Sequence, residues 1–367
     1  MMISEHPSFP PPTNTPGFCN CDTHSNIWLD IVTLVDTSAS MGDGKDFALA
    51  AIQSALVQLN LSPDPTGKLY SRVAVGAYAN DAQIVGDFIN LTSADDIFSI
   101  NLPDYGGNVV NITKRVMLHF NIHGRYSDPK RNNTKQVFLI AASAYSDGVY
   151  TVADEFKSGG GVIIVIDYIQ RGQFPLAGLK ELASPGYFFS NSEDDESVTF
   201  HDIVQAFCDV NCFCNKGLIP YSISNSERNV PDGGCYTAVT LSAIQPAAES
   251  ACKRQKGYLS TIHDANKQLF LMQLFTARTP YWVGLKRVGG NWVWDDNSTI
   301  PYDNFVDPNA PGDCVFSAQL PGFKSGWIQH TFIYNAPQIR AQCYVIGIIV
   351  GWLLHVKKGI KLTKASS

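Results

Sequence analysis

Ile27-Trp28-Leu29-Asp30-Ile31-Val32-Thr33-Leu34-Val35 runs straight into Asp36-Thr37-Ser38-Ala39-Ser40-Met41-Gly42. The nine residues ending at Val35 are mostly apolar and β-branched, so they read as a strand buried on both faces. The stretch that follows puts one carboxylate and two hydroxyls, Asp36, Ser38 and Ser40, into a tight loop. A helix is expected next, over Asp46–Leu59, and its amino end adds a positive dipole and free N–H groups. Hard oxygens grouped in this way are the surface that a divalent cation such as Mg²⁺ prefers.

Working outward, further strands are expected at Arg72–Ala79, Lys135–Ala142, Gly161–Tyr168 and near Tyr187–Ser190. Helices are expected at Asn108–His119, Val149–Lys157, Leu176–Ala183 and His201–Phe207. This alternation predicts an α/β doubly wound, mostly parallel sheet covered by helices on both faces. Ligands of such sheets bind at the carboxyl ends of the strands, which is where the Asp36 loop falls. Gly159-Gly160-Gly161 reads as a helix stop and turn, because no Gly-Lys-Ser/Thr follows it. His119 and His123 are spaced for one helical face but bring no third ligand for zinc.

A D-x-S-x-S string in that position resembles the metal-ion-dependent adhesion site of von Willebrand factor A (vWA) domains, which are Rossmann-like, non-enzymatic recognition modules. The resemblance implies two more loops around the metal, one with a Thr and one with an Asp. Here Asn108, in Tyr105-Gly106-Gly107-Asn108-Val109, stands about where the Thr belongs. Ala141-Ala142-Ser143 replaces the usual Thr-Asp-Gly. Ala142 cannot ligate a cation, and Asp147 comes several residues too late. Asp36, Ser38 and Ser40 therefore form an incomplete Mg²⁺ site, or else Asp36 and Ser38 cap the helix and order the loop.

From Cys235 the pattern changes. Helices fit Ala247–Lys256 and His263–Phe275. Then come Tyr281-Trp282-Val283-Gly284-Leu285, Asn291-Trp292-Val293-Trp294-Asp295, Tyr302-Asp303-Asn304-Phe305, Gly312-Asp313-Cys314-Val315 and Gly326-Trp327. The succession resembles an α+β C-type lectin-like domain, over roughly Cys235 to Cys343. The two halves together resemble nematode proteins that combine a vWA domain with a C-type lectin domain. In sugar-binding members Ca²⁺ is held by a Glu-Pro-Asn or Gln-Pro-Asp triplet, an acid before the next Cys, and an Asn-Asp pair after a Trp. Here the matching residues are Asp307-Pro308-Asn309, then Gly312 with Asp313 beside it, then Ile328 and Gln329. Asp307, Asn309 and Asp313 are the candidate carbohydrate and Ca²⁺ residues; the plain alternative is that the triplet is only a turn. Trp282, Trp292 and Trp294 are expected in the core.

The chain contains nine cysteines and carries a net charge of −6. That charge, with no basic run before the last few residues, argues against nucleic acid as a partner. The cysteines point to an oxidising compartment, as do N-x-S/T sequons at Asn60, Asn90, Asn111, Asn132 and Asn297. The lectin resemblance implies a Cys252–Cys343 bridge and, in its long form, Cys214–Cys235. Cys19, Cys21, Cys208 and Cys212 flank the first domain, whose ends are expected to lie close together, so two bridges are expected there. Cys314 is left over, its expected partner position being Thr331; it is free, pairs between chains, or competes for Cys343. A zinc cluster in Cys208-x-x-x-Cys212-x-Cys214 lacks a partner set.

The expected organisation is a disordered leader (1–18), a vWA domain (19–207), a Cys-rich linker (208–234), a lectin-like domain (235–343) and an apolar then basic tail (344–367). Met1–Gly17 has no apolar signal core, so export is expected to need another route or a different start. Tyr344–Val356, followed by Lys357, Lys358 and Lys361, reads as a short membrane anchor or as the last lectin strand. No nucleophile–base set, carboxylate pair or cofactor loop stands in a motif. The expectation is a secreted, non-enzymatic protein that binds glycans or cell-surface and microbial proteins. The alternative is an adhesion scaffold with decayed metal sites, membrane-anchored in one form.

Overall fold

The computed structural model describes residues 1–6, 24–61, 70–79, 82–103, 131, 134–143, 150–169, 177–191, 198–214, 217–223, 227–228, 230–275, 279–300, 302–307, 309, 311–319 and 325–330. The chain divides into two compact units. One is Pro7–Cys235; the other joins Tyr236–Ser367 to Met1–His6.

The first unit is built on a six-stranded sheet. In chain order, after β1 (Met2–His6) of the other unit, its elements are β2 (Leu29–Asp36), α1 (Gly44–Leu56), β3 (Arg72–Tyr78), β4 (Ala82–Gly86), α2 (Ala94–Phe98), β5 (Lys135–Ala142), α3 (Tyr150–Ser158), β6 (Val162–Asp167), α4 (Ala177–Leu182), β7 (Phe188–Ser190) and α5 (Phe200–Asn211). The strand order is β4-β3-β2-β5-β6-β7, and every pairing is parallel except that of the edge strand β4. β2 lies in the middle, and all eight of its residues are buried. That double burial explains its unbroken apolar run. Leu29, Ile31 and Val35 face a core shared with α1 and α5, whereas Val32 and Leu34 face the core under α3 and α4.

The hairpin β3–β4 and the short helix α2 were not expected. Nor does the stretch after α5 behave as a free linker. The Arg228 guanidinium lies over the rings of Tyr187 and Phe189, donates to the Gly186 carbonyl at 2.7 Å, and pairs with Asp209. The unit therefore extends to Cys235, which is bonded to Cys214. The expected helix over Asn108–His119 lies outside the described residues.

After β8 (Ile219–Pro220), the second unit has β9 (Cys235–Val239), α6 (Gln245–Arg254), β10 (Tyr258–Leu259), α7 (Ala265–Gln273), β11 (Tyr281–Val288), β12 (Asn291–Trp294), β13 (Cys314–Gln319) and β14 (Ser325–His330). Its strands run β14-β13-β11-β1-β9, with β12 on β11 and β10 on β1. Trp294 and Trp327 are fully buried and meet edge to face at 5.5 Å; Tyr302 and Phe305 stack edge-on against Trp327. Gly284 is required in Trp282-Val283-Gly284-Leu285, because a Cβ there would lie 2.4 Å from the Leu259 carbonyl. Met2–His6 departs from the expected disordered leader: it is an inner strand of this sheet, stabilised by burial of Met2 and Ile3.

Candidate functional site

At the carboxyl end of the first sheet, β2 stops at Asp36 and the chain turns through Thr37–Asp43 into α1. Gly42 takes the left-handed conformation, φ +50°. Thr37 fastens the turn to the neighbouring strand, donating from its N–H (2.8 Å) and hydroxyl (3.1 Å) to the Tyr78 carbonyl. Asp36 is fully buried. Its Oδ1 accepts the Ser38 N–H at 2.8 Å, and its Oδ2 accepts the Ser143 N–H at 3.2 Å and hydroxyl at 3.4 Å. Ser38 and Ser40 share a hydroxyl–hydroxyl bond of 2.7 Å. The capping alternative is corrected in one respect: the N-cap of α1 is Asp43, and Asp36 orders its own loop and the end of β5.

Ser143 occupies the third loop, where the vWA resemblance implies an Asp in the preceding position. A carboxylate there would add negative charge; Ser143 adds two hydrogen-bond donors aimed at Asp36 instead. Ala142 is buried in the sheet. Asn108 and Asp147 lie outside the described residues.

Sequence reasoning missed the neighbours across the sheet. Register puts Tyr78 beside Asp36, while Asp167 ends β6 opposite Ala142. The Tyr78 hydroxyl is buried with no hydrogen-bond partner. Burial pushes its pKa well up, and the charges of Asp36 and Asp167 push it further. No pattern in the sequence joins residues 36, 78 and 167; only strand order does.

A tight divalent-cation shell needs several oxygens, carboxylates foremost, converging from different directions. The described loop offers one carboxylate whose two oxygens already accept N–H groups, and two hydroxyls bonded to each other. The described donors alone do not complete such a shell. Among the described residues no group of three or more His, Cys, Asp or Glu side chains is placed to hold a metal.

In the second unit, Asp307, Asn309 and Asp313 are all exposed. The Asp307 carboxylate accepts the Asn309 N–H at 2.9 Å, the geometry of an Asx turn. The loop itself is firmly placed: Trp327 N–H donates to the Asn304 carbonyl at 2.8 Å, and Val306 N–H donates to the Trp327 carbonyl at 3.0 Å. Next to it Arg287 lies 4.7 Å over the ring of half-buried Trp292, which also touches Phe305. Trp282 and Trp294 are core residues; Trp292 lies at the core's edge. The described donors here do not converge as a Ca²⁺ shell either. Ile328 and Gln329 lie on β14.

A second polar cluster went unnoticed in the sequence. Ser298 donates to Asp296 Oδ1 at 2.5 Å and lies 3.3 Å from His263 Nε2, which is 3.8 Å from Asp296 Oδ2. Burial pushes the Asp296 carboxyl up, but bonds from His263 and Ser298 outweigh it and hold the pKa at about 2. In a nucleophile–base–acid chain the imidazole separates the other two groups. Here the hydroxyl donates to the carboxylate directly, so the imidazole does not stand between the two.

Cys214 and Cys235 are joined by a disulfide, with Cα atoms 5.5 Å apart. Cys208 and Cys212 are also disulfide-bonded, and Cys19 and Cys21 lie outside the described residues. Cys252 is a buried thiol, and Cys343 lies outside the described residues. Burial raises the Cys314 thiol to about 12, with Asp313 adding to the shift. Of the sequons, Asn90 and Asn297 are exposed and Asn60 is half-buried; Asn111 and Asn132 lie outside the described residues. Among the described residues no helix is long and apolar enough to cross a membrane, and the Tyr344–Val356 segment lies outside them.

Comparison with known proteins gives two family matches: a von Willebrand factor type A domain over residues 30–206 and a lectin C-type domain over residues 243–331. C-type lectin domain-containing protein 160 of Caenorhabditis elegans is 24% identical over 366 residues, covering 92% of this chain and 56% of that protein. Human lymphocyte antigen 75 is 27% identical over 125 residues, 33% of this chain and 7% of that protein. Thus the chain spans little more than half the length of the first relative and a small part of the second. Among solved structures, proximal thread matrix protein 1 from the mussel byssus is 15% identical with a TM-score of 0.39, over 51% of this chain and 48% of that one.

Proposed function

Because the chain joins a von Willebrand factor type A domain to a C-type lectin domain, we propose that it is a non-enzymatic, extracellular recognition protein that binds carbohydrate or microbial surfaces. The observation that carries this reading is the Tyr302–Asp313 loop. Its Asn304 and Val306 are pinned to Trp327 of β14 by backbone bonds, its Val306, Asp307, Asn309 and Asp313 are exposed, and Phe305 and Asp313 adjoin the Arg287–Trp292 stack. A rigid scaffold holding a polar loop next to an aromatic face is the usual form of a recognition site. Asp307 serves its own turn, so sugar contact here runs through hydrogen bonds and the Arg287–Trp292 stack, with neither Ca²⁺ nor Mg²⁺ required. The disulfides fit an oxidising, extracellular setting.

The test is a glycan array with the chain secreted from eukaryotic cells, in Ca²⁺ and again in EDTA. Binding that persists in EDTA and falls at least about ten-fold, roughly 1.4 kcal/mol, in Trp292→Ala supports the reading. Binding abolished by EDTA shows a working Ca²⁺ site and overturns the metal-free form. A second reading, a protein-interaction and adhesion scaffold, is favoured by the shortage of cation donors among the described residues; an array without any binding selects it. A role in innate immunity would follow from microbial glycans among the ligands.

A further inference from the structure

One strand of the second unit's sheet comes from outside the stretch that forms the rest of it. β1 pairs antiparallel with β10 (Ser4 with Leu259, Glu5 with Tyr258) and parallel with β11 (Met2 with Trp282), and it also neighbours β9. The Trp282 N–H donates to the Met1 carbonyl and the Ser260 N–H to the Ile3 carbonyl, both at 3.0 Å. Every side chain from Met2 to Glu5 is buried. Met2 and Ser4 share one face of the strand, where Met2 Sδ lies 3.9 Å from Cys252 Sγ. Ile3 and Glu5 share the other.

Glu5 is the specific contact. Its carboxylate accepts Lys267 Nζ at 3.0 Å, Thr261 N–H at 2.9 Å and the Thr261 hydroxyl at 3.1 Å. Lys267, itself buried, lies over the Tyr236 ring and donates to the Thr261 hydroxyl. A buried ammonium without its anion is strongly unfavourable. Thr261 and Lys267 therefore make a carboxylate pocket, filled by a residue 262 positions away from Lys267.

We propose that this slot is a donor-strand site, shaped for an extended segment with a branched apolar residue two positions before a glutamate, and that Met2–His6 is exchanged through it between copies of this chain. The connection argues for a second copy as occupant. A separate compact unit, Pro7–Cys235, intervenes in the sequence, so no local turn ties the strand to the slot it fills. No cysteine lies in Met2–His6 to fix it covalently. Main-chain pairing supplies affinity and the Glu5 pocket supplies register, the logic of strand addition and of domain swapping.

The test uses two full-length variants with different affinity tags, Glu5→Lys and Lys267→Glu. Alone, each sets like charges against one another in the slot. Mixed, each strand finds an opposite charge only in the other chain. Heterotypic complexes enriched about ten-fold or more over homotypic ones, equivalent to roughly 1.4 kcal/mol, are expected. A mixture that stays unassociated overturns exchange between copies. A second measurement guards against variants that fold poorly: a synthetic Met1–His6 peptide is expected to bind the Glu5→Lys chain and raise its Tm, while the same peptide with Glu5→Ala does neither. Failure of the unaltered peptide to bind overturns the slot itself.

Discussion

β2 carries a buried aspartate at each end, and the two are handled in opposite ways. Asp30, at the amino end, is enclosed by cations. Arg72 grips it with two nitrogens at 2.7 and 2.9 Å, and Arg131 places Nε and a terminal nitrogen on Oδ1 at 3.0 and 2.6 Å. Arg131 is itself sandwiched between Trp28 and Tyr70. Asp36, at the carboxyl end, has among the described residues only N–H and O–H donors within hydrogen-bonding reach, with the unpartnered Tyr78 hydroxyl buried nearby. Charge neutralised by fixed guanidinium groups is a device for stability. Charge held by dipoles, at the end of the sheet where ligands bind, is left open to respond to what arrives there.

Asp30→Ala should have the largest effect. It removes the carboxylate that pairs with Arg72 and with the fully buried Arg131, and urea unfolding should register a loss of about 3–5 kcal/mol. A loss under about 1 kcal/mol would mean that aromatic faces and carbonyls carry Arg131 unaided, and the contrast between the two ends would fail. Next, Asp36→Ala should cost about 1–3 kcal/mol by orphaning the Ser38 and Ser143 donors. Millimolar Mg²⁺ should move the wild-type Tm by less than about 1 °C, since weak binding adds little stability. A clear Mg²⁺-dependent rise that Asp36→Ala abolishes would show a working cation site. Tyr78→Phe sharpens the point: removing an unpartnered hydroxyl should be neutral or stabilising by up to about 1 kcal/mol.

The smallest effect is expected at His263. The Asp296 pKa of about 2 lies below its ordinary 3.8. Its contribution is therefore present above pH 3.8 and is lost as the pH falls through 2. His263→Gln should flatten the acid unfolding profile across that window. An unchanged profile would show that Ser298 alone depresses the carboxyl.

The sheet of the first unit was legible because a strand buried on both faces leaves a local record, a continuous β-branched run. Lys135–Ala142 is found with those bounds, and Val162–Asp167 lies one residue inside its expected limits at each end. The Asp36 loop was legible for the same reason, being a short string behind such a run. Tyr78 and Asp167 were not, since they lie near Asp36 only through strand order, which periodicity does not encode; Ser143 was placed there by the vWA resemblance, but not its bonds to Asp36. Nor was Arg131, whose role depends on Asp30 lying 101 positions away. Met2–His6 was hidden twice over: it is short and followed by proline, and its partners lie some 250 residues on.

That last separation also sets an order of events. Glu5 leaves the ribosome 256 residues before the Thr261 that receives it. At synthesis rates of about 5–20 residues per second, the strand waits roughly 10–50 s for its groove to exist. The first unit can fold within that interval, because nearly all its contacts are already synthesised. The second folds last and closes one of the longest loops in the chain, a topology that slows folding. The nascent chain therefore carries this strand unpaired through synthesis of the whole first unit.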